Sequence, residues 1–212
     1  MKEKRLFLFM AVLITVLLLM PVNAQDLKIG LTVTPLGQNT ILEKSLMGAA
    51  GHSGNGFYIV GLTCQLPLTS RFDVETGLEY VNHTIKISPN LLPGMDDTPY
   101  KASSKLVSIP VTLKMDFLKY LFVNGGCLLD IDTKPSRPIH NQTGIGAMLG
   151  IGIKYDFKFG GTIFANPYAR CHSLVPFFPE RYPQRLFDSG VRFGITYDFS
   201  KISKKNQMES CY

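Results

Sequence analysis

Apolar and polar residues alternate along most of this chain with a period of two. Over 189–199, Val191, Phe193, Ile195, Tyr197 and Phe199 share one parity and Gly190, Arg192, Gly194, Thr196 and Asp198 the other. An extended strand with that pattern shows one wholly apolar face and one face that is small, polar or charged. Its ending, Tyr197-Asp198-Phe199, is prefigured by Met115-Asp116-Phe117 and Tyr155-Asp156-Phe157. The spacing of about 40 residues is that of a repeated hairpin.

The same alternation predicts strands over 27–34, 57–66, 72–86, 104–117, 120–131, 144–157 and 162–173, most of them bounded by Pro, Gly, Asn or Ser. Pro35 is read as the end of the first strand. Long loops are expected over 37–56, with a short helical turn over 41–50, and over 88–103, 133–141 and 174–185; short turns are expected over 67–71, 118–119 and 158–161. Long and short connections therefore alternate around eight strands. The fold class implied is all-β, an eight-stranded antiparallel up-and-down transmembrane β-barrel with apolar residues facing lipid and short turns in the periplasm. A soluble lipocalin-like barrel would invert the two faces.

The inward parity carries the charges. Asp73, Glu75 and Glu79 on the third strand share it with Lys114, Lys154, Arg170 and Arg192 on later strands. An eight-stranded barrel is narrow enough to be filled by side chains, so these residues are expected to form a crossed acid-base network that blocks a diffusion pore. Glycines 144, 146, 150 and 152 on the inward row of the sixth strand fit such a lumen.

The N-terminus adds an address. Lys2, Lys4 and Arg5 precede an apolar run over 6–20, and Val22-Asn23-Ala24 offers a small-residue cleavage site before Gln25. Residues 1–24 read as a cleaved export signal, 25–199 as one barrel domain, and 200–212, with Lys201, Lys204 and Lys205, as a basic, disordered periplasmic tail. The formal charge of +6 loses three basic residues and Glu3 with the leader. The remaining balance of about +4 is mild, and no basic run interleaved with aromatics points to nucleic acid.

Candidate chemistry is thin. Cys64, Cys127, Cys171 and Cys211 lie far apart, which excludes a zinc ribbon and favours thiols acting as small apolar groups. His52, His83, His140 and His172 all map to the long-loop end but none sits at ligand spacing, so they read as ordinary polar residues and no cofactor or metal is expected. His172-Ser173 with Glu180 supplies a base, a nucleophile and an acid, yet adjacent strand residues point to opposite faces and should not meet. A non-catalytic barrel is the expectation. The alternatives are an enzyme acting on lipid or peptide and a metal- or haem-binding barrel.

The Gly-rich hairpins, Ser108-Ile109-Pro110-Val111-Thr112-Leu113-Lys114 leading into Tyr120-Leu121-Phe122-Val123-Asn124-Gly125-Gly126, and the closing Tyr-Asp-Phe together resemble the PorT-type, OmpA/OmpX-like outer-membrane β-barrel proteins. That resemblance implies a place in the outer membrane of a Gram-negative bacterium and a part in secretion or surface assembly. The closing strand also looks like the outer-membrane assembly signal, through Arg192, Gly194, Tyr197 and Phe199. The partners implied are outer-membrane lipid, the assembly machinery, and an unidentified extracellular or periplasmic protein.

Overall fold

The computed structural model of the protein describes residues 27–43, 51–89, 98–133, 139, 141–178 and 184–199. The expected leader, the tail with Cys211, His140 and Glu180 lie outside these residues. Eight strands run in order: β1 (Lys28–Leu42), β2 (Gly51–Pro67), β3 (Phe72–Ser88), β4 (Tyr100–Asp116), β5 (Leu121–Asp132), β6 (Gly144–Asp156), β7 (Gly161–Pro176) and β8 (Arg185–Asp198). Each pairs antiparallel with its sequence neighbours, and β1 pairs with β8, which closes the barrel and leaves no edge. Among the described residues there is no helix.

The expected strands are present, but several extend further toward the long-loop end. Pro35 does not end β1. The ladders to β2 and β8 shift register between Thr34 or Val33 and Gly37, and Pro35, which has no N–H to donate, sits in that bulge. Ile41 and Leu42 are strand rather than part of a helical turn, and 44–50 lie outside the described residues. Positions 51–56, 100–103, 174–176 and 185, read as loop, and 186–188, between the expected loop and the last strand, are strand as well. At the other end β4, β6 and β8 stop at Asp116, Asp156 and Asp198, so Phe117, Phe157 and Phe199 of the repeated motif lie just past the ladder. There Tyr120 stacks on Tyr155, Tyr155 meets Phe157, and Tyr197 meets Phe199, forming an aromatic rim at the short-turn end.

The strands are longer than a membrane requires. β2, β3 and β4 have 17 residues each, whereas a tilted strand crosses hydrocarbon in about 9–11. The outward apolar run on β3 goes from Phe72 to Tyr80 and on β4 from Val107 to Met115, each about nine residues, and the register pairs Phe72 with Met115 and Tyr80 with Val107. The two runs thus begin and end at the same levels. Tyr58 and Tyr80, with ring centroids 6.5 Å apart, mark the upper limit.

Beyond that level the two faces exchange character. Outward positions become Asn82, Thr84 and the exposed Lys86 on β3, and Lys105, Ser103 and the exposed Lys101 on β4. Inward positions become Val81, His83, Ile85 and Ile87 on β3 and Leu106 and Ser104 on β4, all buried and mostly apolar. A barrel surrounded by water requires this arrangement, with oil inside and charge outside. The wall is therefore built for lipid over its lower half and for water over its upper half.

This division generates a measurement. Ile151 is 54% exposed on the outer face of β6, and Ile151→Arg is expected to destabilise the barrel in lipid vesicles by about 2–4 kcal/mol. Ser103→Arg, outward on β4 above the belt, is expected to change stability by no more than about 0.5 kcal/mol. Equilibrium unfolding of both variants in denaturant checks the level at which lipid ends.

Candidate functional site

The lumen gathers most of the inward charges into one connected chain. Lys114 Nζ lies 3.6 Å from Asp73 Oδ2 and 3.5 Å from Gln65 Oε1. Gln65 Nε2 donates to Glu75 Oε2 at 3.0 Å. Arg192 pairs with Glu75 at 2.6 Å and lies 3.7 Å from Glu79. Arg170 donates to Glu79 at 2.8 Å. The chain crosses from β3 to β4 and, over the barrel interior, to β7 and β8. Glu75, Glu79, Arg170 and Arg192 are at most 1% exposed.

Aromatic rings fill the space around this clamp. Phe122 and Phe164 meet edge to face at 6.1 Å; the Arg192 guanidinium lies 5.5 Å from the Phe164 ring and that of Arg170 4.6 Å from Tyr168. Two inward glycines make this possible. A methyl group on Gly152 would lie 2.3 Å from the Phe122 ring, and one on Gly194 would lie 2.3 Å from Phe164.

Lys154 does not join the chain. It pairs with Asp116, and with Asp156 at 3.5 Å, at the short-turn end, where Thr162 Oγ1 also donates to Asp156 at 2.5 Å. The assembly-signal residues are split by the pleat. Gly194 and Tyr197 hold the β1 ladder opposite Thr32 and Ile29, Phe199 meets Tyr197 edge to face beyond the strand end, and Arg192 is turned inward.

Toward the long-loop end lies a second polar cluster. His83 Nε2 is 2.7 Å and His172 Nε2 3.0 Å from the same oxygen, Asp188 Oδ2. His172 Nδ1 is 2.9 Å from Asp130 Oδ2, and Ser108 donates to Asp130 Oδ1 at 2.7 Å. All five side chains have zero exposure. Two residues further toward the long loops along their strands come Ile85, Leu106 and Leu186, members of the apolar core that seals the lumen above. These histidines are thus not ordinary loop residues. His83 and His172 face the lumen, brought together across it from β3 and β7, which do not pair with each other, while His52 stays at the rim with Glu43 at 3.1 Å.

The expectation that His172 and Ser173 face opposite sides also fails. β7 shifts register between Cys171 and Val175, Ser173 adopts φ 48°, and both side chains are fully buried. The bulge defeats strict alternation. The pair still offers no free base, because both ring nitrogens of His172 face carboxylate oxygens. Cys64, Cys127 and Cys171 are free thiols on the outward parity.

Breaking the clamp from one side should be costly. Arg192→Met leaves Glu75 without its closest cation and is expected to destabilise by about 3–5 kcal/mol. Adding Glu75→Met to it should recover more than half of that loss, as read by a double-mutant cycle in denaturant.

No protein-family model matches the chain, and no curated protein matches it. Among solved structures the chain is similar to the outer membrane protein OprG from Pseudomonas aeruginosa, with 12% identity, a TM-score of 0.50, and coverage of 82% of this chain and 95% of that one. It is also similar to the outer membrane protein AlkL in lipid bilayers, with 10% identity, a TM-score of 0.51, and coverage of 82% and 90%. At these identities the likeness is one of fold: the chain has the eight-stranded closed antiparallel architecture of outer-membrane barrels.

Proposed function

We propose that this chain is a small barrel of the Gram-negative outer membrane, exported by a cleaved leader over 1–24, closed to diffusion, and working as a structural or recognition element through its long connections. The observation that carries the reading is the clamp of Glu75 and Glu79 by Arg192 and Arg170, which spans the lumen from β3 to β7 and β8. The apolar belt of about nine residues and its aromatic rims support a membrane-spanning lower half. The upper half, packed with Ile41, Phe57, Ile85, Leu106 and Leu186, supports the second part of the reading. It is a stiff stem that would lift the connections over 43–50, 89–99, 133–143 and 177–184 clear of the lipid surface. The PorT-type resemblance extends this to support of secretion or surface assembly through a protein partner, with lipid and the assembly machinery as constitutive partners and no catalytic step.

Two measurements test it. In planar bilayers the unmodified protein is expected to show no stable large conductance; a sustained open level would restore a porin reading. Protease added to intact cells is expected to cut within 89–99 or 177–184 and to spare the turn over 117–120. Cleavage at that turn would reverse the orientation.

A further inference from the structure

We propose that His83, His172 and Asp188 form an interior binding site for one divalent transition-metal ion of the zinc type. Three strands, β3, β7 and β8, deliver these side chains to a single point, and their ligand atoms all lie within 4.8 Å of one another. Both histidines aim Nε2 at the same carboxylate oxygen, at 2.7 and 3.0 Å. As a set of hydrogen bonds this is lopsided. Two donors crowd Asp188 Oδ2, while Asp188 Oδ1 is buried with no hydrogen-bond partner among the described residues. A buried acceptor left bare is costly, and a cation held between the two Nε2 atoms and the carboxylate engages both oxygens.

Around His172 the surroundings match a metal site beyond its ligands, while His83 Nδ1 has no hydrogen-bond partner among the described residues. Asp130 binds His172 Nδ1 and is itself fixed by Ser108. That carboxylate–histidine arrangement holds the ring so that the far nitrogen, Nε2, faces an ion and becomes a better donor. Two imidazoles with one carboxylate suit zinc and its neighbours rather than calcium or magnesium, which take oxygen ligands. With bonds of about 2.0–2.1 Å, tetrahedral ligands lie about 3.3 Å apart, so the two nitrogen–oxygen separations of 2.7 and 3.0 Å need open by only a few tenths of an ångström, and the two histidine ligand nitrogens lie no more than 4.8 Å apart.

Charge points the same way. The central and upper lumen sets the carboxylates of Glu75, Glu79, Asp130 and Asp188 against the guanidinium groups of Arg170 and Arg192. The deficit is met by protons on the histidines or by a divalent ion in their place. Because His83, His172 and Asp188 have no exposed surface, the ion must enter while the barrel closes.

The test is refolding of the full mature chain in detergent with Zn2+, followed by desalting against a weak chelator and elemental analysis, with folding followed by heat-modifiable gel migration. One zinc per folded chain is expected, and X-ray absorption at the zinc edge should show two imidazole ligands. His83→Gln and His172→Gln are each expected to weaken retention more than 10-fold, and Asp130→Asn about 10-fold, whereas His52→Gln at the rim should leave it unchanged. Folded wild-type protein that keeps no zinc overturns the proposal, as does zinc whose spectrum lacks imidazole or whose retention survives His83→Gln and His172→Gln. Should the variants fail to fold, the wild-type stoichiometry and spectrum decide alone.

Discussion

Glu79, clamped between Arg170 and Arg192, shows the constraint on which the rest depends: in a barrel this narrow, a charge in mid-lumen has no water to retreat to. A carboxylate taken from water into such an interior is tolerated only with a cation and hydrogen bonds in place. The acids of β3 therefore fix what later strands must carry at matching heights. Strand register becomes a matter of charge as well as of packing, because a slip of one residue would turn Arg192 out into lipid and bring Val191 or Phe193 against Glu75.

The lipid belt imposes the opposite condition on the outside, and the point where it ends explains the strand lengths. Up to Tyr80 and Val107, paired across β3 and β4, charged side chains are tolerated only inside, because the outer face meets lipid. Above that pair the solvent changes, and so does the sign of the pattern. Val81, Ile85 and Ile87 then fill the interior around the buried His83 while Lys86 and Lys101 face outward. One continuous sheet serves two solvents, with a polar lumen inside oil and an oily core inside water.

Much of this was legible in the sequence, because a period of two reports directly which side of a strand a residue takes. The eight strands, the outward faces of β4, β6 and β8, and the inward placement of Arg170 and Arg192 all follow from parity. What parity does not report is which residues on distant strands share a height. Lys154 has the right parity but sits at the short-turn rim, beside Asp116 and Asp156 rather than the β3 acids. The histidine cluster escaped for a related reason. Asp188 lay just outside the expected last strand, and His83 near the end of a strand whose apolar pattern had already changed phase. Extending parity from Arg192 back to Asp188, and from Glu79 on to His83, would have placed both in the lumen. Pro35 and Ser173 misled in another way, since each sits at a bulge where alternation breaks without ending the strand.

The last strand joins these requirements. β8 supplies the ladder that closes the barrel against β1, and along the same parity it supplies Arg192 to Glu75 and Glu79, and Asp188 to His83 and His172. Until β8 is in place, Glu75 lacks its guanidinium partner, the histidines lack their shared carboxylate, and β1 and β7 present bare edges. Closure therefore satisfies backbone, clamp and histidine cluster in one step. Of the residues that resemble an assembly signal, Tyr197 lies outward on this strand and Phe199 just past its end, so the resemblance falls on the element whose inward residues complete the lumen.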